Sequence, residues 1–335
     1  MIKKLFIGSF LSSRRGTKTI AEKIEVALRD DVPIQLVSKF ENKLVRIVDI
    51  IRACLIYRGK LVHIEVFSGK SFFITAIASF ILRIRSKKMI FILRGGKLPE
   101  FYKSYPAFFR RTLKRADVLE TPSKYLQEFF LKNEISLNYL PNPINLKKFK
   151  YNPKPKPKTI LWVRSFEVTY NPFFPIKIFL LLKNSYPEAR LTMIGPDKGL
   201  LKPVQNEIYA LGLEKNIELL GPIDNDSLPE FYTSHAVYLN TYQYETFGTA
   251  VLEAAASGVP IVSSKKCEIG YLWEHEKNML LTDEDTPLDF CKNVIRLFED
   301  STLAEHLRRN ARLRAESFDW EKIIPVWKTR LSEIE

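Results

Sequence analysis

Glu245 and Glu253, eight positions apart, flank a glycine in a segment that could hold a phosphorylated ligand. Gly248 and Thr249 open a predicted helix that has Glu253 in its first two turns. The unpaired N–H groups and the positive dipole end of a helix N-terminus favour a phosphate, and Gly248 lets the chain approach it closely. Carboxylate oxygens accept hydrogen bonds from hydroxyls, so Glu253 could hold a ribose and Glu245 the hydroxyls of a sugar.

The same two acids are also compatible with an ordinary helix that binds no ligand. The helix dipole would stabilise Glu253, and water would solvate Glu245 on a loop. On the two acids alone this interpretation is favoured. The whole segment 238–264 is more specific, because the small residues 254–258 would let the helix pack closely on a sheet.

Short apolar runs alternate with helical patterns along the first half of the chain, which predicts a parallel sheet covered by helices. The predicted strands are 3–8, 34–37, 61–67, 88–93 and 118–121. The helical patterns between them include 17–28 and 44–57.

The second half repeats this alternation. Its predicted strands are 159–165, 189–196, 216–223, 236–241 and 258–264. Its predicted helices are 173–184, 203–211, 227–234 and 248–257. We therefore expect an α/β fold of two Rossmann-like, doubly wound domains that face each other across a cleft, with ligands at the carboxyl ends of the strands.

A chain of 335 residues is long enough for two domains. Alternating prolines at 151–158 favour an extended linker and forbid a helix. The expected division is a basic N-terminal domain at 1–150 and a second domain at 151–318. The final segment, 319–335, is predicted to be a helix that crosses back onto the first domain, with its two tryptophans as packing anchors.

Several segments together resemble the retaining glycosyltransferases of the GT-B fold, in their family-four group. The run from Glu245 to Glu253 resembles their E-x7-E region. The other similar segments are LRGGKLP, LPNPINLKKF, ILWVRS and MIGPDKG, and they lie in both halves of the chain. The resemblance implies transfer of a sugar from a UDP- or GDP-sugar to an acceptor hydroxyl, with retention at the anomeric carbon. It implies neither a metal nor a tightly bound cofactor.

The resemblance also implies roles for the residues around the glycine. Glu245 would bind hydroxyls of the donor sugar and is a candidate catalytic residue. The main chain of Phe247, Gly248 and Thr249 would bind the sugar and the diphosphate. Glu253 would bind the ribose.

A second candidate catalytic residue, Arg164, matches the family's arginine that neutralises the leaving diphosphate. The family usually places a lysine where this sequence has Thr169 and Tyr170. Either another cation replaces it, with Lys198 as the candidate, or the leaving group is less well stabilised. A solvated turn lysine is an equally good interpretation of Lys198.

Further candidates, two for donor binding and one on the acceptor side, follow or lie on strands of the first half. Gly8 and Ser9 end the first strand and could direct main-chain N–H groups toward the diphosphate. His63 lies in an otherwise apolar strand pattern, where a buried structural histidine is favoured over a catalytic one.

The sequence Arg94, Gly95 and Gly96 ends another predicted strand and is a further acceptor-side candidate. A glycine pair there indicates a loop that needs positive φ near a ligand. An ordinary turn would use the same residues.

Charge is distributed unevenly along the chain. Residues 1–150 carry 30 Lys+Arg and 12 Asp+Glu, a net charge of +18, whereas 151–335 carry 22 and 26, a net charge of −4. This asymmetry indicates an anionic partner for the first half. Basic residues at 83–88 follow the apolar run 72–82, and those at 110–115 lie beside the aromatic residues of 101–109. Basic residues mixed with exposed aromatics favour a surface facing anionic lipid over a solvated basic face with core-facing aromatics.

From these features we expect a cytoplasmic glycosyltransferase, peripheral on the inner face of the membrane, with a lipid-linked or anionic glycan as acceptor. No apolar run approaches the length of a membrane-spanning helix. No recognised nucleic-acid-binding pattern occurs, so nucleic acid is not an expected partner. A sugar phosphorylase or epimerase of the same fold, a nucleic-acid-binding protein and a catalytically inactive scaffold are the alternatives.

Overall fold

The computed structural model describes residues 3–12, 18–151, 155–242 and 244–333. The chain folds into two compact units, each with its own sheet. Unit 1 comprises Met1–Pro143 and Trp320–Glu335, and unit 2 comprises Ile144–Asp319.

Unit 1 contains a six-stranded sheet in which all strands are parallel, in the order β2-β1-β3-β4-β5-β6. Its strands are β1 (Lys4–Ile7), β2 (Ile34–Val37), β3 (Leu61–Val66), β4 (Lys88–Leu93), β5 (Val118–Thr121) and β6 (Asn138–Tyr139). The helices between them are α1 (Ile20–Leu28), α2 (Lys43–Ile56), α3 (Lys70–Ile84), α4 (Leu98–Ser104), α5 (Pro106–Leu113) and α6 (Lys124–Leu131). The five strands predicted for the first half are all present.

Helix α1 begins at Ile20 because Thr19 and Glu22 form a capping box. The Thr19 hydroxyl accepts the Glu22 N–H at 3.3 Å, and the Glu22 carboxylate accepts the Thr19 N–H at 2.7 Å. The predicted start at Thr17 lies outside the described residues.

Unit 2 also contains a six-stranded parallel sheet, in the order β12-β11-β10-β7-β8-β9. Its strands are β7 (Lys156–Val163), β8 (Arg190–Ile194), β9 (Ile217–Leu220), β10 (His235–Asn240), β11 (Ile261–Ser264) and β12 (Leu280–Thr282). Its helices are α7 (Phe173–Lys183), α8 (Leu201–Ala210), α9 (Leu228–Ser234), α10 (Thr249–Ser257), α11 (Ile269–Leu272), α12 (Pro287–Glu299) and α13 (Ser301–Glu316). Both units are therefore Rossmann-like, as predicted.

The predicted linker differs from the structure at both ends. The division falls before Ile144, because Ile144, Leu146 and Phe149 are buried in the core of unit 2. At the other end β7 already begins at Lys156. Pro157 is accommodated where the pairing of β7 with β10 is irregular, between the partners His235 and Val237.

The last helix, α14 (Trp320–Glu333), belongs to unit 1. Trp327 is fully buried in a core cluster with Phe6, Ile90 and Leu140, whereas Trp320 is only half-buried. Trp327 is thus the packing anchor of this helix. Among the described helices, none combines the length and apolar character needed to cross a membrane.

Candidate active site

The carboxyl ends of β7 and β10 lie side by side in the sheet of unit 2, although β8 and β9 separate these strands in the sequence. The direction of strand succession reverses at this point, and such switch points are where open α/β sheets bind ligands. Arg164 directly follows β7, and Glu245 lies in the loop after β10. Both candidate catalytic residues therefore come from the switch point.

Arg164 and Glu245 form an ion pair. Nη2 of Arg164 lies 2.8 Å from Oε2 of Glu245 and also donates to Oδ1 of Asn240 at 3.0 Å. The side chains of Arg164 and Glu245 are only 10% and 14% exposed. Nη1 makes just a long 3.5 Å contact with the Val163 carbonyl, so the guanidinium retains capacity for another acceptor.

The surroundings of Arg164 hold it in the charged form. Burial lowers the pKa of Arg164, but the acidic groups around it, Tyr238 and Glu245 foremost, outweigh burial and raise that pKa. Burial also raises the pKa of Tyr238 to about 12, despite the opposing effect of Arg164. The guanidinium further lies 5.6 Å from the ring centroid of Tyr170. The site therefore keeps a permanent positive charge with little access to water.

Gly248 precedes α10 in the left-handed conformation, with φ of +80°. A Cβ at this position would lie 3.2 Å from Cδ1 of Ile269 and 3.3 Å from Cγ of Glu245. Both the backbone angle and the space favour glycine. No side chain of the described residues caps the helix start, so its first N–H groups are available to an anion.

The residues around Gly248 fix the helix against the sheet. Phe247 is buried and packs edge-on against Phe318, with ring centroids 5.5 Å apart, so only its main chain can serve a ligand. Ala254, Ala255 and Ala256 of α10 are fully buried. The close packing predicted from these small residues is confirmed.

Glu253 is half-buried on α10 and is held by α9. The Tyr232 hydroxyl donates to Oε2 of Glu253 at 3.2 Å. Tyr232 is fully buried. Burial is the main cause that raises the pKa of Tyr232 well above its ordinary value, and the negative charge of the nearby Glu253 adds to the effect. Tyr232 therefore remains a protonated donor and fixes one oxygen of the carboxylate.

Lys198 lies in the loop after β8, next to the loop that follows Arg164. Its N–H donates to the Phe166 carbonyl at 3.2 Å, and its Nζ lies 3.0 Å from Oε1 of Glu167. Gly195 permits this arrangement, since a Cβ there would collide with the Arg164 carbonyl. The structure thus brings the Lys198 and Arg164 loops together but gives the ammonium Glu167 as its ion-pair partner.

In unit 1, Gly8, Ser9 and Arg94 follow β1 and β4 at the carboxyl edge of the sheet. Nε of Arg94 lies 3.0 Å from Oε1 of Glu65 on β3, and Nη1 donates to Asn142 at 2.7 Å. A Cβ at Gly8 would lie 2.8 Å from Oε2 of the same glutamate. Glu65, which sequence reasoning did not identify, therefore connects Gly8 with Arg94.

His63 is 1% exposed on β3 and belongs to the interior of unit 1. Its ring stacks on Phe6 at 4.3 Å and lies 5.7 Å from Trp327. Burial, with the nearby charge of Arg94, lowers the pKa of His63 to about 3. This placement leaves the ring almost no surface for direct contact with a ligand.

The positive φ expected for the glycine pair after β4 is not found. Neither Gly95 nor Gly96 has a positive φ. Close packing explains Gly95 instead, because a Cβ there would lie 3.1 Å from the Ser68 nitrogen and 3.2 Å from Cα of Phe67.

Comparison with known proteins decides the family. The family model described as "Glycosyl transferases group 1" matches residues 143–314, which is nearly the whole of unit 2. The chain belongs to glycosyl transferases group 1. A Haemophilus influenzae relative, named only as an uncharacterized glycosyltransferase, is 31% identical over 60% of this chain and 56% of its own length. The chain thus spans about half or less of the length of the curated relatives it matches.

Two solved structures show that this group 1 chain has the GT-B architecture. The Anabaena protein HepE, solved with UDP and glucose, is 18% identical, with a TM-score of 0.78 over 99% of this chain and 100% of HepE. Sucrose-phosphate synthase from Thermosynechococcus elongatus is 14% identical, with a TM-score of 0.79 over 99% and 98% of the two chains. At these identities the likeness concerns the fold alone.

The site of this group 1 protein contains further residues that the sequence patterns did not single out. Asn240 ends β10 and orients Arg164, and Tyr232 orients Glu253. Asn240 could have been found from its position as a polar residue at the carboxyl end of a buried strand. Tyr232 offers no such signal. Within the described residues, no group of three or more His, Cys, Asp or Glu side chains could hold a metal ion.

Proposed function

We propose that this group 1 protein is a retaining glycosyltransferase that binds a nucleoside-diphosphate sugar in unit 2. The observation that carries the proposal is the Arg164–Glu245 pair, because Glu245 lies against Gly248 at the start of α10. Arg164, Glu245 and Glu253 all act on the buried Tyr238, so the three charges lie around one residue. A positive side chain and a helix N-terminus suit a diphosphate. Carboxylates on either side suit the hydroxyls of two sugar rings.

In the proposed reaction an acceptor hydroxyl attacks the anomeric carbon on the face from which the diphosphate departs. The anomeric C–O bond to the diphosphate breaks, a C–O bond to the acceptor forms, and the leaving diphosphate oxygen takes the acceptor proton. Arg164 and the N–H groups at the start of α10 stabilise the charge that develops on the leaving group. Glu245 holds the donor sugar, and no metal takes part.

Lys198 is proposed as a second cation for the diphosphate. It would exchange its contact with Glu167 for a phosphate oxygen when the donor binds. Tyr170 occupies a position where the family usually has a lysine, and its ring packs near Arg164 rather than adding charge. A test of this role is the loss of diphosphate affinity in Lys198→Gln.

The donor proposed first is a UDP-sugar, because the structurally similar HepE was solved with UDP and with UDP-glucose. A GDP-sugar is the second choice. The acceptor is proposed to be a lipid-linked or anionic glycan, bound by the basic unit 1 near Arg94, Gly95 and Gly96. Charge supports this choice, since residues 1–143 and 320–335 carry 30 Lys+Arg and 15 Asp+Glu, a net charge of +15.

A thermal-shift screen of the full chain with UDP, GDP and their sugars tests the proposal. A ligand at a hundred times its dissociation constant stabilises the folded protein by about 2.7 kcal/mol, so a true donor gives a clear shift. With the donor identified, NMR of the transfer product then reports the anomeric configuration. Retention supports the mechanism, and inversion contradicts it.

Nucleic-acid binding is the competing function that the charge of unit 1 favours. Duplex DNA would then bind with an affinity that falls steeply with added salt, and no nucleotide sugar would shift the unfolding temperature. That combination of results would replace the glycosyltransferase proposal.

A further inference from the structure

Helix α3 exposes one continuous apolar row to solvent. Phe73, Ile77, Phe80 and Ile84 are spaced so that they share a single helix face, and all four are exposed. The opposite face, which includes Phe72 and Leu82, is buried in the core of unit 1. The exposed apolar row therefore does not take part in the core of unit 1.

The neighbouring helix α2 repeats this arrangement. Its exposed apolar residues Leu44, Val48 and Leu55 share a face, and Ile56 extends the row. Ile50, Ala53 and Cys54 bury the other face in the same core that receives α3. The two helices pack against each other. The eight exposed residues of these two packed helices are here called the α2–α3 surface.

The charge around the α2–α3 surface is strongly positive. Residues 43–88 contain ten lysines and arginines but only two acids, and one of these, Glu65, is buried. Lys43, Lys70 and Arg83 project from α2 and α3 as exposed residues.

A pocket of about 440 Å³ also adjoins Ile56 at the end of α2. It is lined by the cations Lys3, Arg52 and Arg58 together with Asp49. An apolar patch thus lies next to a basic depression of the size that suits a small anionic group.

The aromatic residues that the sequence associated with a lipid surface lie elsewhere. Tyr102 and Phe109 are buried, and Phe109 stacks on Phe72 and Phe130 within the core. Only Tyr105 of that run is exposed. The prediction of exposed aromatics at 101–109 is therefore wrong for most of the run, and the exposed apolar residues are those of α2 and α3.

We propose that the α2–α3 surface binds the face of an anionic phospholipid bilayer. Large exposed apolar patches on soluble domains mark interaction sites. Exposed apolar side chains flanked by lysine and arginine suit the interface, where the apolar groups enter the acyl boundary and the cations meet phosphate headgroups. The proposal deepens the proposed function, since it names the surface through which a lipid-linked acceptor is reached.

Vesicle sedimentation of the full chain tests this surface. The probes are vesicles of phosphatidylcholine alone and vesicles with added phosphatidylglycerol. The wild-type chain is expected to sediment with the anionic vesicles and to lose binding as salt rises. The double variant Val48→Glu/Ile84→Glu, at residues that are 65% and 69% exposed, is expected to bind at least about tenfold more weakly.

The matched control is the double variant Leu131→Glu/Leu313→Glu. These residues are 61% and 62% exposed and lie on α6 and α13, so the control adds the same charge away from the α2–α3 surface. It is expected to bind almost as wild type. Equal binding by both double variants would overturn the proposal.

A second variant, Lys43→Gln/Lys70→Gln, removes positive charge without placing new charge on the apolar rows. It should weaken binding to the vesicles that contain phosphatidylglycerol and leave binding to the phosphatidylcholine vesicles as it is. Unchanged binding to the anionic vesicles would count against the proposal. A wild-type chain that ignores vesicles but self-associates through Val48 and Ile84, as judged by sedimentation velocity, would show that a second copy covers the surface instead. Nucleotide-sugar thermal shifts of the same proteins report separately on the proposed function, so either proposal can fail alone.

Discussion

Arg164 and Glu245 join the ends of β7 and β10 through a contact of 2.8 Å between Nη2 and Oε2, and both side chains are almost buried. The contact unites two positions far apart in the sequence at the switch point of the sheet. In this contact the positive charge of Arg164 and the negative charge of Glu245 compensate each other away from water. Removing one partner therefore has consequences for stability that differ from the consequences for catalysis.

Single substitutions of this pair are expected to destabilise unit 2 more than their combination. Arg164→Met or Glu245→Leu leaves a buried charge uncompensated and should cost about 3–5 kcal/mol. The double variant should recover part of that loss, because neither charge remains. Urea unfolding of the three variants measures the effect, and additive losses would contradict it.

Catalysis should not recover with stability. Arg164→Met and the double variant are expected to lose turnover by about 10²–10³-fold. Glu245→Leu should also lose turnover yet keep its affinity for the nucleoside diphosphate, because Glu245 is assigned to the sugar. An equal loss of UDP affinity and turnover in Glu245→Leu would mean that its role is wrongly assigned.

Gly248→Ala is expected to weaken donor binding as well as stability. Gly248 has φ of +80° and neighbours within 3.2 and 3.3 Å of a Cβ, so alanine should cost about 1–2 kcal/mol and displace the start of α10. Gly212→Ala is the control, since φ there is +64° and nothing lies within 4 Å. Both variants should lose stability, and only Gly248→Ala should lose affinity in calorimetric titration. Equal affinities would contradict a role for the helix start.

Tyr232→Phe is expected to weaken binding of the nucleoside part of the donor. The variant loses the hydrogen bond of 3.2 Å that fixes Glu253, and a bond of about 1 kcal/mol corresponds to a several-fold loss of affinity. Tyr238→Phe is the comparison, because the buried Tyr238 hydroxyl makes no hydrogen bond to the described residues. Its removal should leave stability unchanged or improved. Titration with UDP should separate the two variants, and identical affinities would refute the positioning role.

The stability of unit 1 should depend on pH through two buried groups, Glu120 and His63, whose pKa values are shifted in opposite directions. Burial raises the pKa of Glu120 to about 7, against the effects of Arg330 and Arg94, whereas burial and Arg94 lower the pKa of His63 to about 3. Glu120 binds its proton more tightly in the folded chain, so its contribution is lost as pH rises from about 4.5 to 7. His63 resists protonation when folded, so its contribution is lost as pH falls below 6.5.

Two variants separate these contributions. Relative to wild type, Glu120→Gln should gain stability as pH rises from 4.5 to 7, and His63→Phe should gain stability as pH falls below 6.5. Urea unfolding at a series of pH values measures both differences. Differences that share one sign, or that do not vary with pH, would contradict the buried states of these groups.

The strands and the start of α10 after Gly248 could be predicted from the sequence because both depend on local patterns. The strands at 34–37, 88–93 and 118–121 have the predicted bounds. In the strand at 88–93 the reason is clear, because Met89–Leu93 are buried on both faces and such a strand is continuously apolar. The glycine and the two glutamates mark the start of α10 in the same local way. Contacts such as Tyr232 with Glu253 depend on how separate helices pack, and no local pattern encodes them.

The exposed surface of unit 1 could not be predicted for a related reason. Helix α3 is apolar on two faces, and periodicity alone does not say which face meets the sheet. The aromatic residues at 101–109 are expected from the sequence to be exposed, but packing between α3, α5 and α6 buries most of them. Burial is decided by neighbours that are distant in sequence.

The central claim is that a nucleoside-diphosphate sugar binds between the start of α10, Arg164 and the carboxylate of Glu253. Its most direct test is calorimetric titration of the donor into wild type, Glu253→Ala and the control Glu230→Ala, which changes an exposed glutamate on α9. We predict saturable binding by wild type and Glu230→Ala, and at least about a tenfold loss in Glu253→Ala. Equal affinity in all three proteins, or binding in none, would contradict it.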